Sequence, residues 1–405
     1  MRVAIVGAGL SGLNAGRILS EYCKVVVFEP FNLGGLASSF CNESYCIERF
    51  YHHFFRCDEY LLSLLKTLRL GGKIVWKTAR IGQEFNGNLY SLSTPIEILR
   101  FPGLSILDKI RLAIFTLRTK KMKYEGYDET GVIEGLRRDV GERLFENFFL
   151  PLLRAKFGDN YKEVSYAWLL ARVSIRSNRK LFGEELGYLR GGFHQLVEKL
   201  SENLEIREEK AKIWKNGKWI VNGEKFDSIV FTAPIPELGS LGEKLGVKSI
   251  RYQSSICLLI SMESPFTEDL YWVNYSNEPF GATIEHTNFM PLEDYGEHLM
   301  YVAGYTTPEK LSKLQDEQLF RLWFSSLKKY GLEERSIRWW RVFKAKYSGA
   351  IYVKGFRKLI TPYRLADGFY YAGLTSKDNY PERSMNGSLL AGKNVAELVI
   401  KDHLS

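Results

Sequence analysis

The chain has 405 residues, 45% of them hydrophobic and 25% charged, the balance of a soluble globular protein with room for about two or three packed modules. Fifty-six lysines and arginines against 47 acidic residues leave a net charge of +9, which suits anionic ligands or an acidic membrane surface; no RNA- or DNA-binding signature accompanies it, so no nucleic-acid partner is expected. Five cysteines, at positions 23, 41, 46, 57 and 257, include no Cys-x-x-Cys pair, and argue against a disulfide framework, a zinc site or an iron–sulfur cluster and for free thiols in a reducing, cytoplasmic setting with no metal required.

Arg2–Val6 reads as a short buried strand, so no signal peptide is expected ahead of it. Gly7-Ala8-Gly9-Leu10-Ser11-Gly12 follows, then a helix over 13–21, a second strand over Lys24–Phe28, and Glu29. Strand, glycine turn, helix, strand and acid is the order that holds a dinucleotide. Gly7 permits the tight turn, Gly9 lets the backbone approach a pyrophosphate, Gly12 lets the helix lie close to the sheet, and Gly16 extends that close face. The helix N-terminus offers free N–H groups and partial positive charge to the phosphates. Glu29, seventeen residues past Gly12, is placed to accept hydrogen bonds from a ribose.

Behind the acid comes Asn32-Leu33-Gly34-Gly35-Leu36-Ala37-Ser38-Ser39, a second glycine pair with small and hydroxyl residues. Here the sequence resembles the FAD-binding half of the flavin amine oxidase, protoporphyrinogen oxidase and phytoene desaturase superfamily. The resemblance implies that Gly34, Gly35, Ala37 and Ser38 contact the same extended cofactor as Leu10 and Ser11 of the first turn. It also implies that residues 45–56, with the adjacent His52 and His53, run beside the isoalloxazine ring.

A helix is expected over 58–70, stopped by Gly71-Gly72, and Asn86-Gly87 marks a hairpin. Pro95 opens a helix-rich tract. Over 104–123 the apolar residues Leu107, Ile110, Ile114 and Leu117 recur at spacings of three and four; the helix is expected to turn that stripe to the core, with a membrane surface as the alternative. Basic residues cluster over 118–123 and around Arg172, Arg176, Arg179 and Lys180, and read as solvated faces. The stretch 150–158, Leu-Pro-Leu-Leu-Arg-Ala-Lys-Phe-Gly, is similar to one in bacterial and archaeal protoporphyrinogen-oxidase-like proteins. A cation in such an apolar frame is costly unless paired, so Arg154 or Lys156 is expected to meet a carboxylate or an anionic ligand.

Past a helix over 195–202, two Asn-Gly turns make a three-stranded meander, and the strand Ser228–Phe231 stops at Thr232-Ala233-Pro234. In the resembling superfamily that pattern returns the chain to the cofactor, which implicates Pro234. Residues 251–305 read as mostly antiparallel strands. Within them Glu285 and His286 concentrate polar chemistry, although alternation puts Ala282, Ile284 and His286 on one face and Thr283, Glu285 and Thr287 on the other. Residues 368–373 form a strand ending in Gly373, and Tyr380-Pro381-Glu382-Arg383-Ser384-Met385-Asn386-Gly387-Ser388 leads into a closing helix. The resemblance brings Gly373 to the flavin's ribityl-phosphate region and the helix N-terminus, Met385, Asn386 and Gly387, to the pyrimidine edge of the ring.

The expected fold is therefore α/β: a discontinuous Rossmann-like FAD-binding domain from 1–80, 186–236 and 360–405, with an inserted α+β substrate domain, antiparallel sheet plus helices, from 81–185 and 237–359. The expected activity is an FAD-dependent oxidoreductase that takes a hydride from an organic substrate, small-molecule or lipid-like, with isoprenoid, porphyrin and glycan-linked molecules all fitting. A non-redox flavin sugar-nucleotide mutase and a non-catalytic prenyl-binding relative are the alternatives. The substrate cavity is expected over the flavin, lined by His52, His53, Glu285 and His286, with Arg154 or Lys156 holding an anionic end.

Overall fold

The computed structural model describes residues 1–176 and 184–403; Arg179 and Lys180 lie outside the described residues. Strands β1 (Arg2–Val6) and β2 (Lys24–Phe28), joined by helix α1 (Leu10–Leu19), sit in a six-stranded sheet in the order Arg364–Ala366, Phe369–Tyr371, Ser228–Phe231, β1, β2, Glu205–Arg207. All neighbours are parallel except the edge pair of Arg364–Ala366 with Phe369–Tyr371. Four of the six strands come from beyond residue 200, so the sheet closes only when distant parts of the chain return. Parallel strands covered on both faces read as near-continuous apolar runs, and β1, β2 and Ser228–Phe231 are apolar at every residue after the first. Helix α1 starts three residues earlier than expected, directly from Gly9.

The last helix, Met385–His403, packs on α1 at close range: a Cβ on Gly392 would stand 2.3 Å from the Ser11 carbonyl oxygen. Ser11 Oγ in turn donates to the Ala372 carbonyl at 2.8 Å, tying α1 to the end of Phe369–Tyr371.

A second sheet of seven strands runs Ile337–Ala350, Tyr252–Met262, His298–Thr306, Ala282–Glu285, Trp272–Asn274, Ile81–Phe85, Asn88–Ser91. It is antiparallel except between Trp272–Asn274 and Ile81–Phe85. The strand Tyr252–Met262, paired on both sides, is buried end to end. Its period of two sorts it: Ile256, Leu258 and Ile260 pack under the helix Asp316–Leu327, while Cys257 and Leu259 join the core shared with α1 and the last helix. Helices between Pro95 and Arg176 complete this half.

Two sequence-based expectations are corrected. Cys41 and Cys46 are not free thiols. They face each other across the hairpin Ser39–Cys41/Cys46–Glu48 with Cα atoms 4.1 Å apart and are disulfide-bonded. The Asn42 side chain accepts from the backbone N–H of Ser44 and Tyr45 at 2.9 Å and folds the four-residue turn that brings them together. Cys23, Cys57 and Cys257 carry free thiols. The second correction concerns Ile106–Thr119: Leu107, Ile110, Ile114 and Leu117 face outward, and the helix is held to the fold by its other side, Asp108, Phe115 and Thr119. Asp108 closes a capping box with Ser105 and pairs with Arg143 at 3.3 Å, so the side that carries an acid is the inner one.

Candidate active site

Three of the four glycines in and just after the turn between β1 and α1 have no room for a side chain, each for its own reason. Gly7 stands at φ +106°, and Thr232 Oγ1 donates to its carbonyl at 2.8 Å. A Cβ on Gly12 would lie 2.0 Å from the Gly7 carbonyl oxygen, and one on Gly16 2.9 Å from Leu204. Gly9 differs from all of these. Its φ of −72° and ψ of 176° suit any residue, and a Cβ there would meet nothing within 4 Å. Neither backbone nor packing requires glycine at Gly9, so the empty volume in front of it is the feature a ligand would use. Beside it, Leu10, Ser11 and Gly12 open α1 with N–H groups that helix geometry leaves without intrahelical partners.

Glu29 ends β2 against this turn. Its carboxylate accepts from Ala8 N at 2.9 Å and Phe31 N at 3.0 Å, one bond to each oxygen, and is held rigidly at the mouth. Gly34, at φ +91°, bridges to Gly9 and donates its N–H to the Ala8 carbonyl at 2.8 Å. Gly35, Ala37 and Ser38 continue along the same wall.

The turn opens into a cavity of about 940 Å³ that extends between the two sheets. Its far part is walled by aromatics. Tyr51 meets Trp272 edge-on at 4.9 Å and its hydroxyl lies 3.3 Å from that of Tyr305. His53 stands edge-on to Phe55 and Trp272. Next to them Lys156 Nζ lies 3.3 Å from Glu382 Oε1, which also takes Arg172. Arg383 closes the group against Gly349, and all four residues line the cavity. Burial, then the neighbouring Arg172, push the Lys156 ammonium down to about 7 against the pull of Glu382. Two basic side chains thus share one carboxylate at a cavity wall, with Arg383 beside them.

A sequence model of the family described as flavin containing amine oxidoreductase matches residues 10–400. The chain belongs to that family. It is a flavin-dependent oxidoreductase acting on a small molecule. No curated protein sequence matches it. Many solved structures share its fold, among them the following three. One, from Exiguobacterium sp. 255-15 and provisionally described as a protoporphyrinogen oxidase, superposes with a TM-score of 0.78 at 18% identity, covering 99% of both chains. Reduced UDP-galactopyranose mutase gives 0.73 at 17%, covering 100% of this chain and 96% of the other. Putrescine oxidase bound to putrescine gives 0.72 at 14%, covering 99% of both. The expected family and the α/β fold with an antiparallel second sheet are thus as the sequence indicated.

Within this flavin amine oxidoreductase the residues singled out from sequence separate into groups. Gly7, Gly9, Leu10, Ser11, Glu29, Gly34, Gly35, Ala37, Ser38, Pro234, Gly373 and Met385 all line the cavity. Gly12, Asn386 and Gly387 stand behind it. Gly12 seats α1 on the sheet, Asn386 Oδ1 accepts from Leu61 N at 2.9 Å, and a Cβ on Gly387 would strike the Asp378 carbonyl at 2.3 Å. His52 and His53 line the cavity. The Nδ1 of His52 pairs with the Phe50 carbonyl, and burial, with Arg383 nearby, lowers its pKa to about 4, so the ring stays neutral near pH 7. That leaves it Nε2 as an acceptor and excludes it as a proton donor at neutral pH.

Arg154 is exposed, its guanidinium 5.7 Å from the Tyr161 ring, whereas Lys156 lies on the cavity wall. Two residues apart on the helix Leu150–Phe157 they point to opposite sides. Glu285 and His286 do not reach the cavity. Glu285 accepts from Phe266 N, Thr267 N and Thr267 Oγ1 at 2.8–2.9 Å, and burial raises its carboxyl to about 7 despite those bonds. His286 lies in a nest of Tyr188, Tyr295 and Tyr301, with Nε2 2.7 Å from the Tyr295 hydroxyl. Sequence reading missed Trp272 and Tyr305, had Tyr51 only as part of the 45–56 segment, and had Arg172, Glu382 and Arg383 only as parts of a basic cluster and a closing motif. Their grouping depends on contacts across 210 and more residues.

Burial holds the His286 pKa at about 3, against an ordinary value of 6.5. Between those values the unfolded chain takes up a proton that the folded one refuses. Stability from this group is therefore complete above about pH 6.5 and is lost as pH falls toward 3. His286→Phe is expected to flatten the fall of unfolding free energy between pH 6.5 and 4 measured by urea titration. It is also expected to cost about 1–2 kcal/mol at pH 7, since the Tyr295 hydroxyl loses its partner. Flavin content should not change; its loss would return His286 to the active site.

Proposed function

We propose that this oxidoreductase binds FAD and oxidises a small organic molecule whose anionic end is held by Lys156 and Arg172. The observation that carries the reading is the single cavity joining the Gly9–Glu29 turn to the Lys156–Arg172–Glu382–Arg383 group. The residues at the turn fit FAD. The open face of Gly9 would admit a pyrophosphate, and the N–H groups of Leu10 and Ser11 would donate to it. The Glu29 oxygens, each with one backbone bond, keep lone pairs for ribose hydroxyls. Bound FAD supplies a two-electron acceptor for a hydride leaving a C–H bond.

The chain's own part is to bind, orient and exclude water. Tyr51, His53, Trp272 and Tyr305 wall the far part of the cavity with rings, which suits an apolar or lipid-like body and keeps solvent away. Arg172, charged at any working pH, and Lys156 would fix the anionic end. Neutral Nε2 of His52 can accept a proton or hydrogen bond from the substrate.

The purified protein should be yellow, and heat release followed by chromatography should give FAD; FMN or a colourless protein would sink the reading. Glu29→Ala is expected to weaken FAD retention roughly tenfold to a hundredfold, the worth of a hydrogen bond to a charged group at roughly 1.5–3 kcal/mol. The substrate class is tested by anaerobic mixing with isoprenoid, porphyrin and glycan-linked candidates that carry a carboxylate or phosphate, while flavin absorbance is followed. Bleaching by a neutral analogue as fast as by its anionic parent would remove the Lys156–Arg172 assignment.

A further inference from the structure

Among the described residues thirteen large apolar side chains are strongly exposed, and their distribution is uneven. Six are scattered singly, which is ordinary for a soluble surface. Seven fall within 22 residues: Ile96 and Leu99 on the helix Pro95–Arg100, and Ile106, Leu107, Ile110, Ile114 and Leu117 on Ile106–Thr119. Leu107, Ile110, Ile114 and Leu117 are 51–63% exposed and Ile106 74%. At about 100° per residue the five on the longer helix occupy one arc of roughly 100°. Lys109 Nζ donates to the Leu99 carbonyl at 2.7 Å and ties the two helices side by side, so the seven form one patch.

The charges around the patch have one sign. Residues 95–123 hold seven basic side chains, Arg100, Lys109, Arg111, Arg118, Lys120, Lys121 and Lys123, against Glu97 and Asp108. Both acids are already engaged: Glu97 pairs with Arg80, and Asp108 is buried against Arg143. On the helical wheel Arg111 and Arg118 border the apolar arc on one edge and Lys109 on the other. Lys120, Lys121 and Lys123 extend from its C-terminal end. An apolar stripe rimmed by cations matches the acyl-to-headgroup boundary of a negatively charged leaflet, where Lys and Arg stems reach up to the phosphates.

We propose that this face docks the protein on an anionic bilayer surface, with the stripe of Ile106–Thr119 lying in the plane of one leaflet. Among the described residues no helix is long and apolar enough to cross a membrane, so the contact is lateral. The proposal rests on no part of the flavin site.

The test is co-sedimentation of the full-length, flavin-loaded protein with vesicles of phosphatidylcholine, with and without phosphatidylglycerol as a third of the lipid. Binding is expected to the anionic vesicles and to fall steeply with added salt. Replacing Ile110, Ile114 and Leu117 together by Ser should cut the bound fraction at least about tenfold with an unchanged melting temperature, because these side chains touch little of the fold. Replacing Lys120, Lys121 and Lys123 by Gln should weaken binding about fivefold per residue, to anionic vesicles only. Protein left in the supernatant with both vesicles would overturn the proposal, as would a triple Ser variant that binds like the parent. Self-association without vesicles, abolished by the Ser replacements and unaccompanied by lipid binding, would assign the face to a second copy of the chain instead.

Discussion

Gly9→Val is expected to give a folded protein without flavin, and Gly12→Ala a protein whose fold itself is damaged. The two glycines stand three residues apart in one turn, and their surroundings are opposite. A Cβ on Gly12 would press within 2.0 Å of the Gly7 carbonyl and 2.7 Å of Thr232 Oγ1, and backbone cannot step aside as a flexible side chain can. Overpacking of that kind costs roughly 1–3 kcal/mol or more, and here it would lever α1 off β1. At Gly9 the only structural cost of Val is that of a poorer N-cap, about 1 kcal/mol. Its bulk instead fills the volume that the cofactor phosphates would need. Flavin affinity should fall at least about a hundredfold, equivalent to about 3 kcal/mol. The checks are the ratio of flavin to protein absorbance after gel filtration and a denaturant melt of each apoprotein. A yellow Gly9→Val protein with full flavin content would show that the open face of Gly9 is not where the cofactor lies.

The contrast explains what the sequence made legible. The glycine turn, Glu29 and the second glycine pair lie within 29 residues, from Gly7 to Gly35, and local spacing carries their meaning. The features that sequence misplaced depend on partners outside their own local pattern, from nine to more than two hundred residues away. Leu107, Ile110, Ile114 and Leu117 make a good amphipathic stripe, but periodicity does not say which side is inner, and Asp108 with Arg143 decides that. Glu285 and His286 look reactive as polar residues in an apolar strand. The Phe266–Thr267 loop and Tyr295 satisfy them, and nothing in their immediate sequence announces it. Arg154 and Lys156 share one motif, and only the helix, with its rotation of about 200° over two residues, separates surface from cavity. Glu382 reaches Arg172 across 210 positions, a contact no local pattern encodes.

That contact yields the second large expected effect. Glu382→Gln is expected to destabilise the protein and to make its stability depend on added anions. Glu382 is the carboxylate shared by Lys156 and Arg172, with Arg383 beside them, and the three paired side chains keep only 16–28% of their surface exposed. Removing one partner of a buried ion pair typically costs about 3–5 kcal/mol, because the remaining charges stay desolvated. The cavity admits water to this group, so a cost of roughly 2–3 kcal/mol is expected. Part is relieved because the Lys156 pKa, no longer held up by Glu382, falls below its parent value of about 7 and leaves the amine more fully neutral at pH 7.5. Phosphate or pyrophosphate should then replace the missing carboxylate and raise the melting temperature of the variant more than that of the parent, by mass action. In the parent the same anions should bind more weakly as pH rises through about 7, since Lys156 is a cation below that value and neutral above it. Lys156→Met should abolish that step and leave Arg172 as the pH-independent remainder. A Glu382→Gln protein as stable as the parent and indifferent to phosphate would mean that the three basic side chains do not form an anion site, and the substrate's charged end would have to be sought elsewhere on the cavity wall.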